Sequence, residues 1–281
     1  MRFDDVLITA DFDYTLTALD GTIPQRNLEA IRYFMENGGH FTVNTGRSAV
    51  AAKKLMEKVP VNAPFLMYNG SAAYKDGEFL DVYPIALEPW SVLDRLLEEF
   101  PNVTLEVHGL HTHYVVNATE HDWAVYEKTG WHMTAVKSGD DVGRFIKFNV
   151  RPVRDGSTSE VLRTGEPEEV ALFDRIQQRV EQLWGEQVTV YRSGVRLLNI
   201  NAKGTSKAAA ARNLQKKLNK KILVCIGDAE NDIPMLDGAD FAFCPGDSRV
   251  TDRYESVCNC ADGAVADVIY KKIPEILAIH P

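Results

Sequence analysis

Positive charge is in short supply in this chain. Its 281 residues carry 31 Lys and Arg against 40 Asp and Glu, a net charge of -9. A nucleic-acid partner is therefore not expected, because such binding needs a basic face. The deficit does not exclude a small phosphorylated ligand, since a few local cations and a bound metal outweigh the global sign. Cysteine is also scarce. Four in a chain this long build no disulfide framework. Cys225 and Cys244 fall in apolar runs, as small core residues do, and Cys258 and Cys260 form a lone C-x-C with no further ligands, so no zinc site is expected. No apolar run approaches transmembrane length, so no membrane partner is expected. The opening Met1-Arg2-Phe3-Asp4-Asp5 lacks the basic head and apolar core of a signal peptide, and the reducing cytoplasm is the expected compartment. There is no internal repeat and no low-complexity segment. What remains is an ordinary globular composition, 45% hydrophobic and 25% charged, with length for two domains or one domain carrying a large insertion.

The chain is organised around Val6-Leu7-Ile8-Thr9-Ala10-Asp11-Phe12-Asp13-Tyr14-Thr15-Leu16. The apolar first half reads as a strand buried on both faces of a parallel sheet. Asp11 and Asp13 follow it, and alternation along a strand sends both to one side. In open α/β sheets that end of the strands is where ligands bind. Two carboxylates there repel unless a cation, a shared proton or a reaction needs both. Taken alone, the stretch reads equally well as an acidic turn after an ordinary strand.

A turn signal at Leu19-Asp20-Gly21-Thr22 predicts a short projecting hairpin or flap over 17–24. A helix then ends at Gly38-Gly39, and strands at 41–44 and 65–68 bracket another helix. Asp76-Gly77 marks a two-residue hairpin turn. From about Ile85 the pattern changes to helices mixed with adjacent hairpins: segments 103–107, 113–116 and 145–150, a polar loop at 155–165, a long amphipathic helix, and a pair 188–191 and 195–200 turning at Ser193-Gly194. Such mixing predicts a separate α+β unit. A helix beginning at Gly204 and a second fully apolar strand, Ile222-Leu223-Val224-Cys225-Ile226, restore the parallel pattern. The fold class is thus α/β, a parallel-sheet core of residues 1–84 and 200–281 split by an inserted domain, 85–199.

Phosphoryl transfer without a nucleotide loop requires a nucleophile, a proton donor, a divalent metal and donors for the transferred oxygens. Asp11 can be the nucleophile and Asp13 the proton donor. Asp228, at the end of the other apolar strand, suits magnesium, with Asp232 one turn on. Thr45 stands where a helix is expected to begin and backbone N–H groups favour an anion. Lys203, before another helix start, can neutralise a phosphate oxygen. Each has a plainer reading, as a helix cap or a solvated lysine. Their combination in this order points to chemistry.

Asp11-Phe12-Asp13-Tyr14-Thr15, Asn44-Thr45-Gly46-Arg47, Lys203 and Gly227-Asp228 with Asp232 resemble the four motifs of the haloacid dehalogenase (HAD) superfamily. The insertion is similar in position and size to the type 2 cap of its Cof-like, sugar-phosphate phosphatase branch, and Ala261-Asp262-Gly263-Ala264-Val265-Ala266 is similar to that branch's closing segment. The resemblance implies a Rossmann-like core, Asp11 as phosphoryl-accepting nucleophile and Asp13 as general acid and base. It implies magnesium held by Asp11, the Asp13 main-chain carbonyl and Asp228, with Asp232 in support. Thr45, Gly46, Arg47 and Lys203 would hold the substrate, with a further contact from Asn231. One departure stands out: Tyr14 replaces the glycine most often found after the second aspartate. In the inserted domain, His108, His111 and His113 are expected as exposed strand residues or substrate contacts, Trp123, Trp131 and Trp184 as core, and Arg151 and Asn69 as substrate contacts. A small phosphorylated metabolite hydrolysed through an aspartyl-phosphate is the resulting expectation. A phosphomutase and a non-catalytic phosphate-binding protein stay open, and the sequence gives no oligomeric state.

Overall fold

The computed structural model describes residues 2–153, 167–193 and 196–279, and the expected polar loop 155–165 and the turn residue Gly194 lie outside them. Two compact units result. One comprises 1–47, 52–81 and 206–281, the other 48–51 and 82–205.

The first unit is built on the strands β1 (Val6–Ala10), β2 (His40–Val43), β12 (Ile222–Ile226), β13 (Phe241–Cys244) and β14 (Glu255–Ser256), in the order β14-β13-β12-β1-β2. Every pairing is parallel. β1 and β12 are buried along their whole length, which is why their sequences are apolar without alternation. The chain runs from β1 outward to β2 on one side and later to β12 on the other. β1 therefore flanks a topological switch point, where a crevice opens beyond the carboxyl ends of the strands. Register fixes what meets there. Ala10 lies beside Val43 and Ile226, so Asp11, Thr45 and Asp228 all leave the sheet at the same edge.

The strand expected at 65–68 is shorter and belongs elsewhere. β3 (Phe65–Met67) joins β4 (Ala72–Lys75) and β5 (Glu78–Val82) in a separate three-stranded sheet, touching the parallel sheet's register through a bridge of Asn44 to Leu66. The β4–β5 turn is Asp76-Gly77, both at positive φ (51° and 94°), the twist that a two-residue hairpin requires.

The second unit carries a six-stranded sheet, order β10-β11-β9-β6-β7-β8, from β6 (Val103–His108), β7 (His113–Val116), β8 (Thr134–Ala135), β9 (Lys147–Pro152), β10 (Val188–Arg192) and β11 (Leu198–Ala202). Alternation divides its faces. Leu105, Val107, Phe148, Val150, Leu198 and Ile200 pack on Val92, Leu93 and Leu96 of the helix Pro89–Glu99 and on Phe173, Ile176 and Val180 of the helix Pro167–Trp184. The opposite face presents Glu106, His108, Lys147, Asn149, Asn199 and Asn201, all buried. An expected unit boundary at 199/200 would cut through β11, whose hydrogen bonds to β9 and β10 keep it in this unit up to Thr205.

Two expectations about this unit need correction. His108 and His113 are not exposed: their rings sit edge to face, 4.5 Å between centroids, inside the polar face, while His111 is exposed. Trp184 packs against the apolar core, but Trp123 is 38% exposed, its ring edge on Tyr126. Arg151, expected as a substrate contact, is paired within this unit. It binds Glu106, which also accepts from Asn149 (2.9 Å) and Tyr126 (2.9 Å).

Candidate active site

Asp11 continues β1 by donating its N–H to the Ile226 carbonyl (2.8 Å), and its side chain is buried. A buried carboxylate needs a partner. Lys207 supplies it, with Nζ 2.6 Å from Asp11 Oδ1 and 2.6 Å from Asp232 Oδ1. The lysine is the first residue of the helix Lys207–Lys217, whose cap is Ser206, its hydroxyl accepting from the Ala209 N–H. Asn44 anchors the same residue from the other side, donating to the Lys207 carbonyl (2.9 Å).

Asp232 is committed on both oxygens. Oδ1 takes Lys207 and Oδ2 accepts the N–H groups of Asp228 (3.1 Å) and Ala229 (3.3 Å), closing the loop after β12. That loop passes so close to Asp232 that a Cβ on Gly227 would lie 2.6 Å from the Asp232 Cβ, so only glycine fits there. Asp228 itself accepts from the Thr15 hydroxyl (3.1 Å).

Lys207 provides one charge for three clustered acids. One oxygen each of Asp11, Asp228 and Asp232 lies within 4.8 Å of the others. Burial pushes the Asp228 carboxyl up to about 7, the Asp232 charge adds to this, and the Thr15 hydrogen bond and Lys207 oppose it. Asp11 is raised for the same reasons, burial first, against the pull of Lys207. Burial would lower Lys207, but Asp11 and Asp232 outweigh it and hold its ammonium above the ordinary range. Unreacted, this is a pocket of hard oxygens short of positive charge, which suits a magnesium ion. Asp11 and Asp228 have lone pairs to give, whereas Asp232 supports the site through Lys207 and the loop.

Asp13 is set apart from this cluster. Its carboxylate is 41% exposed and receives a two-pronged ion pair from Arg47, Nε to Oδ2 at 2.9 Å and Nη2 to Oδ1 at 2.6 Å. Arg47 also lies over the Phe12 ring, 5.4 Å from its centroid. The expected substrate contact is thus a partner of the expected acid. Tyr14, next in sequence, has φ 59° and ψ 9°, a left-handed conformation that costs a non-glycine residue roughly 1–2 kcal/mol.

Thr45 is buried and its hydroxyl accepts the Arg47 N–H (3.2 Å), but its own N–H is bonded to the Leu66 carbonyl (2.9 Å). The helix expected to start there starts later, at Ala49, with Ser48 as its cap, so no helix N-terminus stands at Thr45. At Gly46 a Cβ would lie 2.6 Å from Asn69 Oδ1, so a larger residue would make the Asn69 amide turn away. Asn231 is half-buried on the single turn Glu230–Asp232.

Lys203 is the expectation that the structure overturns. It is exposed, lies in the unit 82–205, and its N–H closes the turn after β11 by bonding Gln187. The helix begins three residues later than Gly204 suggests, and the buried lysine is Lys207. The signal was present: Ser206 before Lys207-Ala208-Ala209-Ala210 is a cap followed by strong helix formers.

A family model for haloacid dehalogenase-like hydrolases matches residues 8–269. The chain belongs to that family. Among HAD relatives, the mannosyl-3-phosphoglycerate phosphatase of Pyrococcus furiosus is 24% identical over 253 residues, covering 86% of this chain and 92% of its own. The 5-amino-6-(5-phospho-D-ribitylamino)uracil phosphatase of Bacillus subtilis is 23% identical over 266 residues, covering 92% and 93%. The solved structure of a HAD subclass IIB sugar phosphatase superposes with a TM-score of 0.74 at 15% identity, over 97% of this chain and 99% of that one, a likeness of fold. Register and hydrogen bonding gather Asp11, Asp228, Asp232 and Lys207 beyond the carboxyl ends of β1 and β12. Lys207 is the member of this cluster that the sequence reading did not name.

Proposed function

We propose that this HAD phosphatase releases inorganic phosphate from a small phosphorylated metabolite, a sugar phosphate or a compound like it, through an aspartyl-phosphate on Asp11. The observation that carries the reading is Lys207 bridging Asp11 and Asp232 beside Asp228: a buried nucleophile with one cation among three acids. An Asp11 oxygen attacks phosphorus while the bond to the leaving oxygen breaks, and Asp13 gives that oxygen a proton. Water then attacks the aspartyl-phosphate, Asp13 takes its proton, and Asp11 is regenerated with phosphate free. Thr45 and Lys207 hold phosphate oxygens, and the neighbouring Gly46 and Asn231 border them. Asp11, the Asp13 main-chain carbonyl and Asp228 would hold magnesium, which supplies charge neutralisation for the phosphoryl oxygens.

Removal of the metal has a signed consequence. Phosphate release should stop in excess chelator and return with magnesium, while calcium, larger and more loosely coordinated, supports it poorly. Stability should respond too. Asp228 folded titrates near 7, above its ordinary value of 3.8, so it favours the metal-free fold at low pH and that contribution is lost as pH rises through 7. Magnesium should therefore raise the melting temperature more at pH 8 than at pH 5. Undiminished turnover in chelator, or an equal shift at both pH values, would remove the assignment. Phosphate release with no added acceptor separates hydrolase from phosphomutase.

The unit 82–205 is proposed as the cap that selects the substrate. Support comes from the polar face of its sheet, where both ring nitrogens of His113, Nδ1 of His108 and Oδ1 of Asn149 are buried without a hydrogen-bond partner among the described residues. Unpaired buried groups of this kind cost about 1–3 kcal/mol each and are kept where a ligand uses them. His113→Ala and Asn149→Ala should change the order of preference among sugar phosphates by about tenfold, and 4-nitrophenyl phosphate much less. Equal losses on every substrate would make this network structural.

A further inference from the structure

Tyr14 occupies a position that nothing in the proposed chemistry uses. Its backbone is fixed from beneath: the Tyr14 N–H donates to the Thr17 hydroxyl (3.2 Å), which in turn donates to the Phe12 carbonyl (3.3 Å). Phe12, Thr15, Leu16 and Thr17 are buried, so the left-handed turn leaves Tyr14 the outward member of the loop, 50% exposed. Elsewhere among the described residues the chain gives this conformation to Asn, Asp and glycine, and to one other tyrosine, the buried Tyr68. A large ring held out at a strained position beside reacting groups is a feature kept for use. Its surroundings say which use. The Arg47 guanidinium lies over the Phe12 ring, so flat groups already gather at the loop that carries Asp11 and Asp13.

We infer that Tyr14 is a specificity-determining residue whose ring offers a stacking face to the departing group, favouring phosphomonoesters in which that group carries a planar ring. The inference rests on the phosphatase reading and narrows its substrate class. A stacked ring gains from dispersion and offset π contact, which a short acyclic alcohol does not provide. Tyr14→Phe keeps the face and Tyr14→Ala removes it. Tyr14→Gly removes it while relieving the backbone, so its loss of selectivity would not reflect a weakened fold.

The test is calorimetric binding of phenylphosphonate and methylphosphonate to the full chain with magnesium, neither of which can be hydrolysed. The wild type should favour phenylphosphonate by tenfold or more. That ratio should persist in Tyr14→Phe and fall about tenfold in Tyr14→Ala and Tyr14→Gly. An unchanged ratio in Tyr14→Ala would overturn the inference, as would equal affinity for the two compounds in the wild type, and both would leave the phosphatase reading standing. Binding of neither compound would overturn the phosphate site itself and the role of Tyr14 with it.

Discussion

Asp11→Asn should eliminate both phosphate release and covalent phosphoenzyme, a fall of about six orders of magnitude of the kind seen when a covalent enzyme loses its nucleophile. The amide leaves Lys207 one ionic partner, Asp232, so the fold should persist and the loss be chemical. Asp13→Asn should behave differently, because the Asp13 side chain is proposed to act only on protons. An alkoxide needs the proton it delivers, while an acidic phenol leaves well without it. The variant should be phosphorylated by 4-nitrophenyl phosphate and then hydrolyse slowly. Rapid mixing should show a burst of phenol near one equivalent per site, and no burst with an alkyl phosphate. Stability should change little, since the Asp13–Arg47 pair is partly exposed on both sides. A burst from Asp11→Asn, or fast steady turnover by Asp13→Asn, would mean exchanged roles or a non-covalent reaction.

Lys207→Met should unfold more easily by about 3–5 kcal/mol, the usual consequence of removing one partner from a buried ionic network. The methionine matches the lysine stem in volume, so the effect isolates the charge: Asp11 and Asp232 would remain buried without their cation. Magnesium should restore part of the loss in a urea titration, because it supplies positive charge to the same acids. Activity should not return with it, since Lys207 is also proposed to hold the transferred oxygens. Lys203→Met is the control. That side chain is exposed, and its replacement should shift the urea midpoint by less than about 0.5 kcal/mol in free energy. If Lys203→Met were the inactive variant, the assignment of Lys207 would be wrong.

The contrast between those two lysines shows where sequence reasoning stops. The two apolar strands were legible because burial on both faces leaves no alternation, and their acids were legible because they stand at the strand ends. The Asp76-Gly77 hairpin was legible because its turn needs positive φ at both residues. Lys207 was legible through its Ser206 cap but was missed, because a glycine before an alanine-rich run suggested an earlier helix start. One error of three residues puts the cation in a different unit. The pairing of Arg47 with Asp13 had no local signal either, since the two residues are 34 apart in sequence. The buried histidines failed for a related reason. Polar alternation along a strand looks solvent-facing, and only the second layer, which supplies Tyr126 against Glu106, reveals a burial that the strand itself cannot encode.

The order of the chain also sets an order of assembly. β1 pairs with β12, Val6 opposite Ile222, so the strand that carries the nucleophile is synthesised more than two hundred residues before its inner neighbour. The unit 82–205 is nearly continuous and leaves the ribosome complete while β1 still waits. Closing so long a loop is slow, and until it closes β1 has only β2 beside it. Lys207, Asp228 and Asp232 arrive with that last segment. No nascent chain that ends before Asp232 can therefore hold the proposed phosphoryl site, and activity can serve as the reporter of the pairing of β1 with β12.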